Sequence, residues 1–122
     1  MNIVLLIILD PPMFIQVPKS QIAWTAWVPG ELNFIVSGNP QPDIRVYKDL
    51  RLVSPGTIRL RLQISPAGGC DSHLTIRVEQ VLQYDEGVYT VKLSNKGGIT
   101  KYSVSIHVEG KVYLEITTIL NV

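Results

Sequence analysis

The 122 residues make one domain of ordinary size, with hydrophobic residues at 46% and charged residues at 17%. The formal net charge of +1 leaves no electrostatic footprint for nucleic acid; Arg59 and Arg61 are the nearest thing to a basic cluster. A single cysteine, Cys70, excludes an internal disulfide, and its isolation points to a reducing compartment.

The first residues are apolar, from Ile3 to Leu9. A membrane helix needs about 20 such residues, so no membrane insertion is expected. No Lys or Arg precedes the run, and Asp10-Pro11-Pro12 follows where small residues would prepare a cleavage site, so it is a poor signal peptide. Pro11 and Pro12 impose an extended path, and Met13 to Val17 reads as a short first strand cut by Pro18. Ile22 to Val28 is a second extended piece, carrying Trp24 and Trp27. Residues three apart do not share a face of a regular strand, so at least one indole is exposed or a bulge intervenes.

Leu32 to Gly38 is a strand with Leu32, Phe34 and Val36 on one face, and Gly38 to Pro42 is a turn. Ile44 to Asp49 is the next strand. Ile58, Leu60, Leu62 and Ile64 alternate with Arg59, Arg61 and Gln63 as a half-buried strand. A Gly-rich loop from Ser65 to Asp71 leads back into Leu74 to Val78. Asp85, Glu86 and Gly87 form a tight turn, because Asp bonds its own backbone and Gly tolerates positive φ. After it Tyr89, Val91 and Leu93 share one face of a strand. Asn95 to Gly98 is a hairpin turn, and Tyr102, Val104, Ile106 and Val108 alternate with polar residues as far as Glu109. No stretch carries a 3.6-residue apolar period. Many short strands between Gly and Pro turns indicate an all-β sandwich.

No catalytic constellation emerges. Cys70 and His73 have metal-like spacing, but two ligands do not make a zinc site, so no metal is expected. Asp71, Ser72 and His73 are neighbours in sequence, which does not converge a triad in space. Gly68-Gly69 and Gly97-Gly98 open no helix and cradle no phosphate. His107 falls on the polar phase of the last strand and is expected in solvent. No cofactor and no small-molecule substrate are expected, and the chain is not expected to be an enzyme. Trp24 and Trp27 read either as packing residues or as aromatic anchors of a protein contact, where Trp is enriched. The first and last strands are expected as edges open to a neighbouring domain or peptide.

The segment Asp85-x-Gly87-x-Tyr89-x-Val91 resembles the D-x-G-x-Y-x-C signature of immunoglobulin domains, with Val91 where the second cysteine would stand. Pro11-Pro12-x-Phe14 resembles the opening of I-set domains. Phe34-x-Val36-x-Gly38-x-Pro40-x-Pro42-x-Ile44-x-Val46-x-Lys48-Asp49 resembles their C-x-V-x-G-x-P-x-P-x-I-x-W-x-K-D pattern. The spacing of Ile76, Val78, Val81 and Asp85 is similar to the family's approach to that signature. The resemblance covers about residues 12–109.

It implies a two-sheet Greek-key sandwich of the I-set type, without a disulfide and similar to modules of giant muscle proteins such as titin, twitchin and obscurin. Phe34, Val46 and Val91 would replace Cys, Trp and Cys, and with Tyr89 they are expected to touch in the core. Tyr89 is expected to form a corner, its hydroxyl on upstream backbone, and Asp85 to pair with Arg59 or Arg61 from the strand Ile58 to Ile64. Burying a Phe and two Val side chains contributes roughly 1.5–3 kcal/mol each, comparable to the ~2–4 kcal/mol of a bridge. Trp27 stands where the family has a Gly, seven residues before Phe34. The function implied is non-catalytic spacing and binding of other proteins or of neighbouring immunoglobulin-like or fibronectin-type domains, in the cytoplasm at the sarcomere. The alternative is a cell-surface adhesion or receptor domain, against which the free thiol and the absence of Asn-x-Ser/Thr sequons argue.

The domain is expected over residues 11–110, with flanks at 1–10 and 111–122 that do not belong to it. The run Val4 to Leu9 suits pyrimidine-rich codons before an acceptor splice site, and Gly110-Lys111-Val112 suits a donor site read through as codons.

Overall fold

The computed structural model describes residues 8–54, 56–57 and 59–110. Residues 1–7 and 111–122, most of the two expected flanks, lie outside the described residues, as does Ile58. Among the described residues nine strands follow one another: β1 (Asp10–Gln16), β2 (Gln21–Thr25), β3 (Gly30–Asn39), β4 (Asp43–Lys48), β5 (Arg51–Leu52), β6 (Leu60–Pro66), β7 (Asp71–Val78), β8 (Gly87–Asn95) and β9 (Gly98–Glu109). A 3-10 turn, Gln83–Asp85, precedes β8. One sheet has the order β1-β3-β7-β6 and the other β2-β9-β8-β4-β5.

The strands form where the alternation places them. In β7 the burial alternates residue by residue, with Ser72, Leu74, Ile76 and Val78 inward. In β3, Leu32, Phe34 and Val36 are inward, and in β8 Tyr89, Val91 and Leu93. The two inward faces close on one core of Leu32, Phe34, Val36, Val46, Leu74, Ile76, Val78, Val81, Tyr89, Val91, Leu93, Val104 and Ile106, all nearly inaccessible. Among the described residues no buried side-chain polar atom lacks a partner, as a stable interior requires.

Several expectations change. Pro11 and Pro12 lie inside β1 and do not merely precede it. They are tolerated because β1 borders its sheet and because register shifts separate Asp10 from Met13 and Phe14 from Gln16. The Gly-rich loop is tighter than Ser65 to Asp71, since β6 and β7 pair as far as Pro66 opposite Ser72. The last strand is not an edge. β2 lies parallel to β9, from Gln21 beside Ser105 to Thr25 beside Glu109, and covers it. The two-residue strand β5 has no period-2 signal in the sequence and was not expected.

The chain comes in at one pole and leaves at the other. At the leading pole Asn95 Nδ2 donates to the Asp10 carbonyl (2.8 Å) and the Pro40 carbonyl (3.0 Å), and Asn39 Nδ2 donates to the Ile8 carbonyl (3.1 Å). From there β9 runs 12 residues to Glu109, about 36 Å at roughly 3.3 Å per residue.

Candidate protein interface

The trailing pole, where β9 ends, is built on the turn before β8. Tyr89 is fully buried and its hydroxyl donates to the Asp85 carbonyl at 2.6 Å. Burial pushes the phenol above its ordinary range, and the nearby Asp85 and Asp49 charges add to the effect. The Asp85 carboxylate, 3% exposed, accepts from Arg59 Nε at 2.9 Å, from Arg59 Nη2 and from the Leu82 backbone N–H at 2.7 Å. Arg59 also donates to the Gln80 carbonyl at 3.0 Å, and the bond to Asp85 raises its already high pKa. A charge this deep is tolerated only with such a full set of donors. The partner is therefore Arg59, which precedes β6 instead of lying within it; Arg61 reaches Glu79 at 3.7 Å.

Gly87 is required here by close approach. A Cβ at that position would stand 2.5 Å from Asp49 Oδ2. The Asp49 carboxylate occupies that space because Oδ1 accepts the Val88 N–H at 2.9 Å, a bond that holds its pKa below the ordinary carboxylate range.

Phe34, Val46 and Val91, expected in place of the cystine and its tryptophan, and Tyr89, expected beside them, are all buried in the one core. Val46 faces Val91 across β4 and β8. Phe34 stacks at 6.2 Å from Phe14 and 6.3 Å from Tyr102, which are themselves 5.8 Å apart, so an aromatic triangle fills the space between the sheets. The Tyr102 hydroxyl donates to the Pro18 carbonyl at 2.8 Å, tying the β1–β2 crossing to β9. Alternation placed Tyr102 on the inward face of its strand; its bond to Pro18 had no signal in the sequence.

Of the two readings of Trp24, packing residue or interface anchor, the buried position fits the first and not the second: it is 6% exposed. Its ring lies 5.8 Å from that of Tyr89 and rests on Gly30, where a Cβ would come within 2.6 Å of Trp24 Cδ2. Thus an indole does enter the core, from β2 and not from β4. Trp27 is 49% exposed, past the end of β2, with φ +74°. Its N–H donates to the Val81 carbonyl (2.7 Å), and Val81 N–H donates to the Val28 carbonyl (2.9 Å). Ala26 N–H is fixed on the Glu109 carbonyl (2.7 Å). These bonds hold Trp27 in a left-handed conformation that costs a side-chain-bearing residue about 1–2 kcal/mol. Trp27 and the exposed Val28 therefore stand together beside the departing chain.

His107 is exposed, with Nδ1 on Glu86 Oε1 at 2.6 Å. His73 Nε2 meets Asn33 Oδ1 at 2.9 Å. Cys70 is an exposed thiol. Among the described residues no cluster of three His, Cys, Asp or Glu is placed to hold a metal.

The profile of the immunoglobulin I-set domain matches residues 12–108. The chain belongs to the immunoglobulin I-set family. The I-set domain is 31% identical over 78 residues to the muscle M-line assembly protein unc-89 of Caenorhabditis elegans, a match covering 64% of this chain and 1% of that protein. It superposes on a three-Ig structure of titin domains, an E-to-A mutated variant, with TM-score 0.71 and 26% identity, over 83% of this chain and 33% of that one. It superposes on the N-terminal eight Ig domains of Down Syndrome Cell Adhesion Molecule with TM-score 0.75 at 22% identity, over 84% of this chain and 15% of that one. The last likeness shows the fold alone. The I-set domain thus resembles modules of giant muscle proteins, and it spans a small fraction of the curated relative it matches.

Proposed function

We propose that this I-set domain is a non-catalytic spacing and protein-binding module, one repeat of a long muscle or cytoskeletal chain that works in the cytoplasm at the sarcomere. The observation that carries the reading is the placement of the two chain directions. The chain comes in beside the β8–β9 turn and leaves at the far end of β9, so such units join in line. Tension along that line shears β2 against β9, whose backbone bonds run from Ser105 N–H on the Ser20 carbonyl to Ala26 N–H on the Glu109 carbonyl. Bonds in parallel register are loaded together instead of one after another. Trp27 and Val28, beside the exit, are the contact that a following immunoglobulin-like or fibronectin-type domain meets first. The similarity to unc-89 and titin supports the muscle setting. The test is immunolabelling of striated muscle with antibodies to the folded domain. Periodic labelling only after permeabilisation is expected. Labelling of intact cell surfaces overturns the reading in favour of an adhesion domain.

A further inference from the structure

Four strands border the two sheets: β1 and β6 in one, β2 and β5 in the other. A border strand presents a row of backbone N–H and C=O groups that another strand can pair with, and proteins commonly blunt such rows. Three of the four are blunted. β5 has two residues. β1 carries Pro11 and Pro12, which have no N–H, and its register shifts twice. β2 has five residues, and the crossing before it is fastened by Tyr102 on Pro18. β6 is different. It runs seven residues without a register shift against β7, and its one proline, Pro66, is its last residue.

The phase of β6 can be read from the hairpin that follows. Ala67 N–H donates to the Asp71 carbonyl at 3.0 Å. In an antiparallel ladder the bonding direction alternates. Counting back, Ser65, Gln63 and Arg61 turn their backbone groups towards β7, while Leu60, Leu62 and Ile64 turn theirs outward. Pro66 falls in the outward phase, where its missing N–H costs the sheet nothing. The side chains of Leu60, Leu62 and Ile64 share the core-facing side with Val78, Ile76 and Leu74, but at the border Ile64 is left 50% exposed. Among the described residues no strand lies on the outer side of β6.

We propose that β6 pairs antiparallel with β6 of a second copy of this chain, about a two-fold axis at Leu62, joining two four-stranded sheets into one of eight. The pattern is self-complementary in this register. Leu62 meets Leu62 of the second copy, and Leu60 meets its Ile64, so the outward-turned residues pair with one another and exchange about six backbone bonds. On the inner side aliphatic groups meet aliphatic groups. On the outer side Arg61 stands opposite Gln63 of the second copy and never opposite another Arg61, so like charges do not face each other. A register one step along, centred on Gln63, would set Leu60 against a proline and lose bonds. A contact along one strand is small, so the dimer belongs to the transient class.

Sedimentation of the full chain over micromolar to millimolar concentration tests this. Wild type is expected to show a reversible monomer–dimer equilibrium. Gln63→Glu faces Arg61 of the second copy twice and is expected to tighten the dimer about tenfold, from two opposite-charge cross-strand pairs. Gln63→Arg is expected to weaken it by a similar factor. Ile64→Pro removes an outward N–H without touching the β6–β7 ladder; it is expected to abolish the dimer while the circular dichroism spectrum stays unchanged. A monomer at every concentration overturns the proposal, and so do Gln63→Glu and Gln63→Arg moving the equilibrium in the same direction. Should Ile64→Pro fail to fold, the exposed Gln63 pair still decides.

Discussion

The two poles of the sandwich are fastened by different means. At the leading pole the chain is held by two side-chain amides, Asn95 and Asn39, that reach the carbonyls of Asp10, Pro40 and Ile8. At the trailing pole it is held by backbone bonds, by a buried carboxylate with three donors, by a tyrosine hydroxyl and by an indole on a glycine. The first set consists of exposed amide bonds, each replaceable by water. The second is a connected network in which one missing group leaves others unsatisfied. The domain should therefore lose most when it is altered near the exit of the chain.

That difference can be broken first at Asp85. Asp85→Ala removes the acceptor of two Arg59 bonds and the Leu82 N–H bond. Arg59 is a third exposed and is partly rescued by water. A loss of about 3 kcal/mol is expected, at the low end for a broken buried pair, measured by urea unfolding with unchanged m-value. Asn95→Ala at the other pole is expected to cost about 1 kcal/mol, one net hydrogen bond's worth. Equal losses at the two positions would remove the contrast.

Acid gives a smaller and graded effect. Asp49 is held below its ordinary pKa by the Val88 N–H, and Glu86 by the Val108 N–H, whose bond is 2.9 Å. A carboxylate lowered on folding adds stability that is complete above its unfolded pKa, about 4. That stability is lost as pH falls through the lower folded value. Thermal midpoints are expected to stay flat from neutral pH to about 5 and to decline below about 4. Glu86→Gln should make that decline shallower.

The smallest effect has the opposite sign. Trp27→Gly relieves a left-handed backbone costing about 1–2 kcal/mol, against roughly 0.5–1 kcal/mol of extra unfolded-chain freedom. A net gain below about 1 kcal/mol is expected in the same unfolding assay. A loss would show that the half-buried ring contributes more than its conformation costs.

The fold was legible because one face of each long strand is buried and the alternation says which. Leu32, Phe34 and Val36, then Leu74, Ile76 and Val78, then Tyr89, Val91 and Leu93 carry the pattern without interruption. The poles were harder to read. Trp24 and Trp27 could not be ranked, because the alternation fails where Trp27 turns left-handed, and the one hint of that turn is the Gly that the family carries at this position. The choice of Arg59 over Arg61 depends on where β6 starts, and strand boundaries are set by tertiary pairing more than by the residues themselves. The covering of β9 by β2 is a long-range parallel pairing, and period-2 patterns carry no information about partners.

The two indoles also give the molecule a pair of optical reporters only three residues apart. Trp24, sealed against Tyr89 and Gly30, should emit at short wavelength and resist iodide until the sandwich opens. Trp27, half in water, should emit further to the red and be quenched in the native state. Its shielding from iodide would then announce docking at the exit pole while Trp24 certifies that the interior is intact.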